Sequence, residues 1–313
     1  MENNEEKIPY KLILLDIVIV FLIIGFFFAV YNKTHQPIKN NVAPTEELAK
    51  KVFDELDIKA KSAYVYDVMK DKVLYQKNDS TQLPLASITK LMTATVAMDL
   101  APQNSQITIK KEFLQEEGDS GLRDGEIWNL KNLLDFSLIV SSNDGARAVA
   151  SVIGSKFLKT EDMNIGRSEF VNKMNEKAKE IGLGQTYFLN ESGLDEKNGQ
   201  SGGMGSAQDV AKMVEYILKN KPEVLEATRY QSQQIASLST IHKAQNTNVD
   251  INKIPSLIGS KTGYTDLAGG NLAVVFDSSI GNPVIVVVLG STQEGRFDDV
   301  LSLVDATMKY ERN

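Results

Sequence analysis

The sequence contains no cysteine and only two histidines, and these shortages disfavour several kinds of chemistry. Without cysteine there is no thiol nucleophile, no disulfide and no thiolate metal site. His35 and His242 are too few for a histidine-rich zinc site. A Ser-His-Asp triad could use only His242, because His35 lies in a polar stretch that we predict to be a linker. We therefore expect that a hydrolase with this sequence uses a base other than histidine.

Positive charge is also in short supply. The 313 residues include 34 Lys and Arg against 41 Asp and Glu, which gives a net charge of −7. This balance argues against a nucleic-acid partner. Hydrophobic residues make up 42% and charged residues 24%, ordinary values for a globular protein that can bury a substantial core. We expect no nucleic acid, no metal and no cofactor to be required.

One long apolar run occurs near the N-terminus. Residues 12–31 contain a single charge, Asp16, and about 20 apolar residues are enough to cross a bilayer as a helix. No small-x-small cleavage site follows the run, since the bulky Phe27 stands two residues before Ala29, so we predict an uncleaved anchor rather than a signal peptide. The predicted organisation is a short cytoplasmic tail (1–11), a transmembrane anchor (12–31), a linker (32–44) and a catalytic domain (45–313).

Strand patterns occur near both ends of the remaining chain, with helical periodicity between them. Residues 62–67 and 72–75 predict a hairpin, and residues 87 to about 230 are mainly helical in pattern. Strand patterns return at residues 272–276 and 284–289, before a closing helix. This distribution predicts one sheet that is built from distant segments and flanked by helices.

The segment LASITKLMTA, residues 85–94, places Ser87 three residues before Lys90 in apolar surroundings. Residues three apart on a helix share a face. Burial would disfavour the charged form of the lysine and lower its pKa. A neutral lysine can take the proton of a serine hydroxyl and make it a nucleophile. Taken alone, the pattern also fits Ser87 as a helix cap and Lys90 as a side chain that reaches solvent.

Two further motifs favour the catalytic interpretation. Ser141-Ser142-Asn143 and Lys261-Thr262-Gly263 follow Ser87-x-x-Lys90 in the order found in the serine penicillin-interacting enzymes. Together with the segments FLNESGL, SAQDVA, NTN and IGSKTGYT, they make residues 62–310 resemble the serine-type D-alanyl-D-alanine carboxypeptidases, the low-molecular-weight penicillin-binding proteins.

The resemblance implies a fold and a reaction. The fold would be α/β, of the α+β type, like that of β-lactamases and penicillin-binding transpeptidases. It would have an antiparallel sheet flanked by helices and a mainly helical subdomain, preceded by one transmembrane helix. The reaction would be removal of the terminal D-alanine from peptidoglycan stem peptides through an acyl-enzyme on Ser87, with β-lactams as inhibitors.

The resemblance also implies a role for each motif residue. Ser87 would be the nucleophile and Lys90 its base, while Ser141 would pass a proton to the leaving amine and Asn143 would orient Lys90. The backbone N–H groups of Ser87 and Tyr264 would form the oxyanion hole. Lys261 would also be catalytic, because its charge would lower the pKa of Lys90. Substrate binding would involve Lys261, Thr262, Gly263 and Arg296.

Three alternative functions compete with this interpretation. D,D-endopeptidase action on wall cross-links stays open. A class A-like β-lactamase would need a glutamate followed four residues later by asparagine, and residues 144–199 contain no such pair. A non-catalytic penicillin sensor would carry more cytoplasmic machinery than about eleven residues can form.

The implied substrate also predicts an orientation in the membrane. Cross-linked wall peptides lie outside the cytoplasmic membrane, so the catalytic domain must face outward and the N-terminus inward. The lysines that flank residues 12–31 favour the opposite orientation, because more of them follow the run than precede it. We give the active-site argument precedence and expect a single-pass protein of the cytoplasmic membrane with an extracytoplasmic catalytic domain.

Overall fold

The computed structural model describes residues 51–312 and, outside that range, only Gly25. The chain divides into two units, residues 1–47 and 48–313, and the elements described below belong to the second. Apart from Gly25, the predicted tail, anchor and linker lie outside the described residues. Among the residues that are described, no helix is both long and apolar enough to span a membrane.

After a helical segment that ends at Asp54, residues 62–312 form twelve strands and seven α-helices. The strands are β1 (Ser62–Asp67), β2 (Lys72–Lys77), β3 (Leu83–Pro84), β4 (Gln106–Thr108), β5 (Ile127–Asn129), β6 (Tyr187–Phe188), β7 (Gly203–Gly205), β8 (Ser232–Ala236), β9 (Ile241–Gln245), β10 (Leu257–Thr265), β11 (Gly269–Ser279) and β12 (Asn282–Ser291). The helices are α1 (Lys90–Leu100), α2 (Leu130–Ile139), α3 (Asn143–Leu158), α4 (Met163–Ile181), α5 (Ala207–Asn220), α6 (Glu223–Glu226) and α7 (Gly295–Arg312).

A five-stranded antiparallel sheet, in the order β10-β11-β12-β1-β2, separates two hydrophobic cores. On β12, Ile285, Val287 and Leu289 belong to the core shared with α1–α5, whereas Val284, Val286 and Val288 belong to the core shared with α7. Successive side chains of a strand point to opposite faces, so an uninterrupted Val/Ile run fits a strand that is buried on both sides.

The predicted sheet from distant segments flanked by helices is confirmed, but the middle of the chain is less uniformly helical than expected. Strands β4 and β5 form one small sheet, β3, β7 and β6 another, and β8 with β9 a hairpin. Strands of two or three residues are too short to show an alternating pattern in the sequence. Helix α4 begins at Met163, because Asp162 caps it by accepting from the N–H groups of Asn164 and Ile165.

Helices α3 and α4 cross at a pair of glycines. A β-carbon on Gly154 would lie 2.0 Å from the carbonyl oxygen of Gly166, and one on Gly166 would lie 2.4 Å from the backbone nitrogen of Ser155. The absence of side chains at both positions therefore allows the two backbones to touch. This contact fixes α3, whose first residue belongs to the second motif.

We predict that Gly154→Ala lowers the free energy of unfolding by about 2 kcal/mol or more, because the added methyl group overlaps the backbone of α4. The higher helix propensity of alanine would offset this by at most about 1 kcal/mol. Urea denaturation measures the change. Gly184→Ala is the control, since a β-carbon there meets nothing within 4 Å, and its change should stay within about 0.5 kcal/mol. Equal stabilities of the two variants would contradict the described crossing.

Candidate active site

Ser87 lies in a 3₁₀ turn, Ala86–Thr89, that leads directly into α1. A 3₁₀ turn has three residues per turn, so residues i and i+3 stand in line. Lys90 Nζ is accordingly 2.8 Å from Ser87 Oγ. Ser87 does not cap a helix, because the cap positions belong to Leu85 and Thr89. Lys90 does not reach solvent either, since it is only 2% exposed.

The backbone that precedes Ser87 is in an uncommon conformation. Ala86 has φ of 47°, in the left-handed region, although it is not a glycine. Ser141, the first residue of the second motif, likewise has φ of 61°. Residues held in such conformations are typical of functional sites, where the surrounding structure offsets a cost of roughly 1–3 kcal/mol.

Three oxygen atoms surround the amine of Lys90. They are Ser87 Oγ at 2.8 Å, Asn143 Oδ1 at 2.6 Å and the Ser192 carbonyl oxygen at 2.9 Å. The amide and carbonyl oxygens can only accept hydrogen bonds, whereas the serine hydroxyl can also donate. A neutral amine has two N–H groups and one lone pair, so it can donate to Asn143 and Ser192 while it accepts from Ser87. The arrangement therefore suits an uncharged lysine poised to take the proton of Ser87.

Burial lowers the pKa of both lysines at the site. It brings the pKa of Lys90 to about 7, while the negative charges of Glu191 and Glu116 act in the opposite direction. It also lowers the pKa of Lys261 well below its ordinary value, and the positive charges of Lys90 and Arg296 lower it further. Burial is thus the main cause at Lys90, as the apolar LASITKLMTA segment predicts. The predicted repulsion between the two lysines lowers the pKa of Lys261 rather than that of Lys90.

The second and third motifs meet at a second serine–lysine contact. Ser141 lies in the turn between α2 and α3, and its Oγ accepts a hydrogen bond from Lys261 Nζ at 2.9 Å. Ser142 caps α3 by accepting from the N–H of Gly145 at 3.0 Å, which places Asn143 at the first position of the helix. Lys261 is 2% exposed on β10. The structure thus forms two hydrogen-bonded groups, Ser87–Lys90–Asn143 and Ser141–Lys261. They lie next to each other because Ser141 stands only two residues before Asn143.

Gly263 lets the edge strand β10 approach the 3₁₀ turn. A β-carbon there would lie 2.8 Å from the Leu85 carbonyl oxygen and 3.2 Å from the backbone nitrogen of Ser87. The backbones that carry the two predicted oxyanion donors, Ser87 and Tyr264, are therefore adjacent. The side chain of Tyr264 is 44% exposed beside a cavity of about 240 Å³ that is also lined by Glu117 and Asp195.

Thr262 and Arg296, two of the residues assigned to substrate binding, have well-defined partners. Thr262 Oγ1 is 2.6 Å from Thr247 Oγ1, the central residue of the NTN segment. Arg296 is 8% exposed and donates from Nη1 to the Gly263 carbonyl oxygen at 2.7 Å. Its Nε is buried and has no hydrogen-bond partner in the described structure. Arg296 is thus attached to the third motif and adds positive charge beside Lys261.

Several contributors to the site had not been identified from the sequence. The carbonyl group of Ser192 contacts Lys90, and that of Glu117 accepts from Asn143 Nδ2 at 2.6 Å. Backbone acceptors leave no signal in residue type, so only the FLNESGL segment, which contains Ser192, could have pointed to one of these two loops. Within the described part of the chain, no group of three His, Asp or Glu side chains is placed to hold a metal ion.

The geometry of the candidate site and the fold around it indicate a class of proteins. A serine that is hydrogen-bonded to a buried lysine with a pKa of about 7 lies between an antiparallel sheet and a helical subdomain, as in the penicillin-binding and β-lactamase-like fold. The model of the D-alanyl-D-alanine carboxypeptidase family matches residues 48–293, and the chain belongs to this family.

Individual proteins with D-alanyl-D-alanine peptidase or penicillin-binding names are also similar to this chain. D-alanyl-D-alanine carboxypeptidase DacF of Bacillus subtilis is 32% identical over 82% of this chain, which spans 64% of that protein's length. A D-alanyl-D-alanine endopeptidase of Haemophilus influenzae is 30% identical over 73% of this chain and 74% of its own length. The cefotaxime-bound crystal structure of penicillin-binding protein D2 from Listeria monocytogenes is 27% identical, covers 80% of this chain and 98% of its own, and gives a TM-score of 0.67.

We predict that the amine of Lys90 titrates with a midpoint near pH 7, because burial disfavours its ammonium form. NMR of protein carrying ¹³Cε-labelled lysine measures this midpoint, and Lys90→Met assigns the signal by its disappearance. Lysines such as Lys59 and Lys173, whose pKa values are raised by neighbouring carboxylates, serve as internal controls that should titrate above the ordinary range of lysine. A midpoint above pH 9 for Lys90 would contradict the described environment.

Proposed function

We propose that this protein is a serine D,D-carboxypeptidase that removes the terminal D-alanine of peptidoglycan stem peptides. The observation that carries the proposal is the buried Lys90 amine at 2.8 Å from Ser87 Oγ, with its pKa near neutrality. The family to which the chain belongs supports the substrate class. The roles of the individual residues are proposed from the contacts described above together with the three motifs of the family.

In acylation, Lys90 Nζ takes the proton of the Ser87 hydroxyl as Ser87 Oγ forms a bond to the carbonyl carbon of the penultimate D-alanine. Negative charge develops on the carbonyl oxygen, where the N–H groups of Ser87 and Tyr264 would stabilise it by roughly 3–4 kcal/mol per donor. The C–N bond then breaks. The departing amine of D-alanine receives a proton from Ser141, which regains one from the protonated Lys90.

Deacylation uses the same base. Lys90 is neutral again after the amine has left, so it can take a proton from water as the water oxygen attacks the acyl carbon. The bond to Ser87 Oγ breaks, Ser87 recovers its proton and the shortened peptide is released. The side chain of Asn143 would hold the Lys90 amine in place through both steps, since it bonds to Lys90 through Oδ1 and to the Glu117 carbonyl through Nδ2.

The substrate's terminal carboxylate would bind beside the third motif. The hydroxyl of Thr262 and the side-chain nitrogen of Lys261 are the direct partners that we propose. The negative charge of the bound carboxylate would favour the ammonium form of Lys261, against the burial that lowers the pKa of this lysine. The buried guanidinium group of Arg296 donates a hydrogen bond to the Gly263 carbonyl oxygen. Its positive charge would also attract the substrate's carboxylate, because guanidinium groups bind carboxylates well. Thr247, which is bonded to the Thr262 hydroxyl, orients that donor.

Cleavage of D,D-cross-links is the second candidate function, because a relative with similar coverage is named an endopeptidase. The two reactions share acylation of Ser87 and differ in the leaving group. Release of free D-alanine from a pentapeptide indicates the carboxypeptidase, whereas conversion of a cross-linked dimer to monomers without such release indicates the endopeptidase. We expect D-alanine release to be the faster reaction.

Ser87→Ala should abolish labelling by a fluorescent penicillin and lower D-alanine release at least about 10³-fold, because no other group forms the acyl-enzyme. In the wild-type protein the label should persist, since residues 144–199 offer no Glu-x-x-x-Asn pair for fast deacylation. Gel fluorescence and a D-alanine assay measure the two effects.

Ser168→Ala provides the matched control, because Ser168 is exposed on α4 and bonds only to the Asn164 carbonyl group. Its label and activity should equal those of the wild-type protein. Retained labelling of Ser87→Ala would disprove the assigned nucleophile. Turnover of penicillin at the rate of a resistance enzyme would favour the β-lactamase alternative.

We also propose that residues 12–31 anchor the protein in the cytoplasmic membrane, with the catalytic domain on the extracytoplasmic side. The length and apolar character of the run support an anchor, and the location of the proposed substrate supports the orientation. Alkaline phosphatase fused after Asn313 should be active in cells, because this reporter works only outside the cytoplasm. A second reporter that works only inside the cytoplasm should be inactive when it is fused at the same position. Activity of this second reporter would contradict the proposed orientation.

A further inference from the structure

A buried ion pair lies behind Lys90 and has no role in the mechanism above. Glu191 is fully buried, and its two carboxylate oxygens lie 3.1 and 2.9 Å from Nε of Arg167 on α4. The side chain of Arg167 is 29% exposed. Neither residue belongs to the three motifs. Removing two charges from water is costly, and a buried pair of this kind often stabilises a fold less than apolar residues would.

Backbone carbonyl groups next to the Glu191 side chain accept hydrogen bonds from α1. The carbonyl group of Glu191 accepts a hydrogen bond from Thr93 on α1 at 2.6 Å, and that of Ser192 accepts from Lys90 at 2.9 Å. Residues 190–193 therefore run along α1 beside the amine. Arg167 connects this segment to α4 through the carboxylate of Glu191.

The same segment is fixed on its other side. Asn190 Oδ1 accepts from the N–H groups of Ser192 and Gly193, at 3.2 and 2.7 Å. Gly193 has φ of 79°, and a β-carbon there would lie only 1.9 Å from the carbonyl oxygen of Ala86. Residues 190–193 thus pack directly against the turn that carries Ser87. This contact leaves the Ser192 carbonyl group, which accepts from Lys90, little space to move.

Resting on the proposed role of Lys90 as the base, we propose that Glu191 and Arg167 are positioning residues for Lys90. The pair holds the Ser192 carbonyl group in place and sets the charge near the amine, so that Lys90 both takes and returns a proton at neutral pH. Its two members act with opposite sign. The Glu191 carboxylate favours the ammonium form of Lys90, and the Arg167 guanidinium weakens that effect.

Other charges face Lys90 as well. Glu116, in the loop before β5, favours the ammonium form of Lys90 and is itself paired with Arg147. Lys261 on β10 is also close enough that the charge of Lys90 lowers the pKa of Lys261. Burial lowers the pKa of Lys90, and the charge of Glu191 opposes burial more strongly than that of Glu116 does. Glu191 is therefore the carboxylate whose removal should change the proton affinity of Lys90 most.

The test is the rate of acylation by a fluorescent penicillin as a function of pH. The acid midpoint is defined as the pH at which this rate is half of its plateau. Glu191→Gln should move the acid midpoint to lower pH by about half a unit or more, because an opposite charge near the amine is lost. Arg167→Gln should move it to higher pH by a similar amount, because Glu191 is left without its counter-charge. Arg167→Lys, which keeps the charge, should restore the wild-type midpoint.

Controls separate charge from damage to the fold. Lys131→Met and Asp135→Asn break a partly buried ion pair on α2 and should leave the midpoint unchanged. Midpoints that stay fixed, or that move in the same direction in Glu191→Gln and Arg167→Gln, would overturn the inference. If Glu191→Gln does not fold, the comparison of Arg167→Gln with Arg167→Lys at the partly exposed position decides the question. Failure of the proposed function would be recognised separately, as undiminished acylation of Lys90→Met.

Discussion

The hydrogen bond between the buried amine of Lys90 and the hydroxyl of Ser87 is the interaction on which the active site depends. In water the amine would be charged at neutral pH and useless as a base. Inside the protein it loses hydration, so its pKa falls to about 7. Burial can thus make Lys90 the base that we propose for a chain with two histidines and no cysteine.

Several parts of the fold together keep the Lys90 amine buried and hydrogen-bonded. The 3₁₀ turn aligns Ser87 with Lys90, the second motif supplies Asn143, and residues 190–193 supply a carbonyl acceptor. The edge strand β10 closes the site from the sheet side, which Gly263 allows because it has no side chain. Elements from distant parts of the chain must therefore assemble before any of the chemistry is possible.

The sequence predicted the parts of this structure that depend on residue type and local pattern. The strands β1, β11 and β12 and the three motifs that carry the candidate site residues were within reach of such patterns. Short strands such as β6, and interactions through backbone carbonyl groups such as that of Ser192, were not, because neither leaves a mark on residue identity. The pairing of Glu191 with Arg167 depends on how α4 packs, so it too became visible only in three dimensions.

The rate of Ser87 acylation between pH 5 and pH 9 tests the central claim most directly. If neutral Lys90 is the base, the rate should rise about tenfold per pH unit below an acid midpoint near 7 and level off above it, because only the unprotonated amine can accept the proton. Lys90→Met should remove this rise together with the reaction. A rate that is independent of pH across this range, or that still rises at pH 9, would show that Lys90 does not act as the uncharged base.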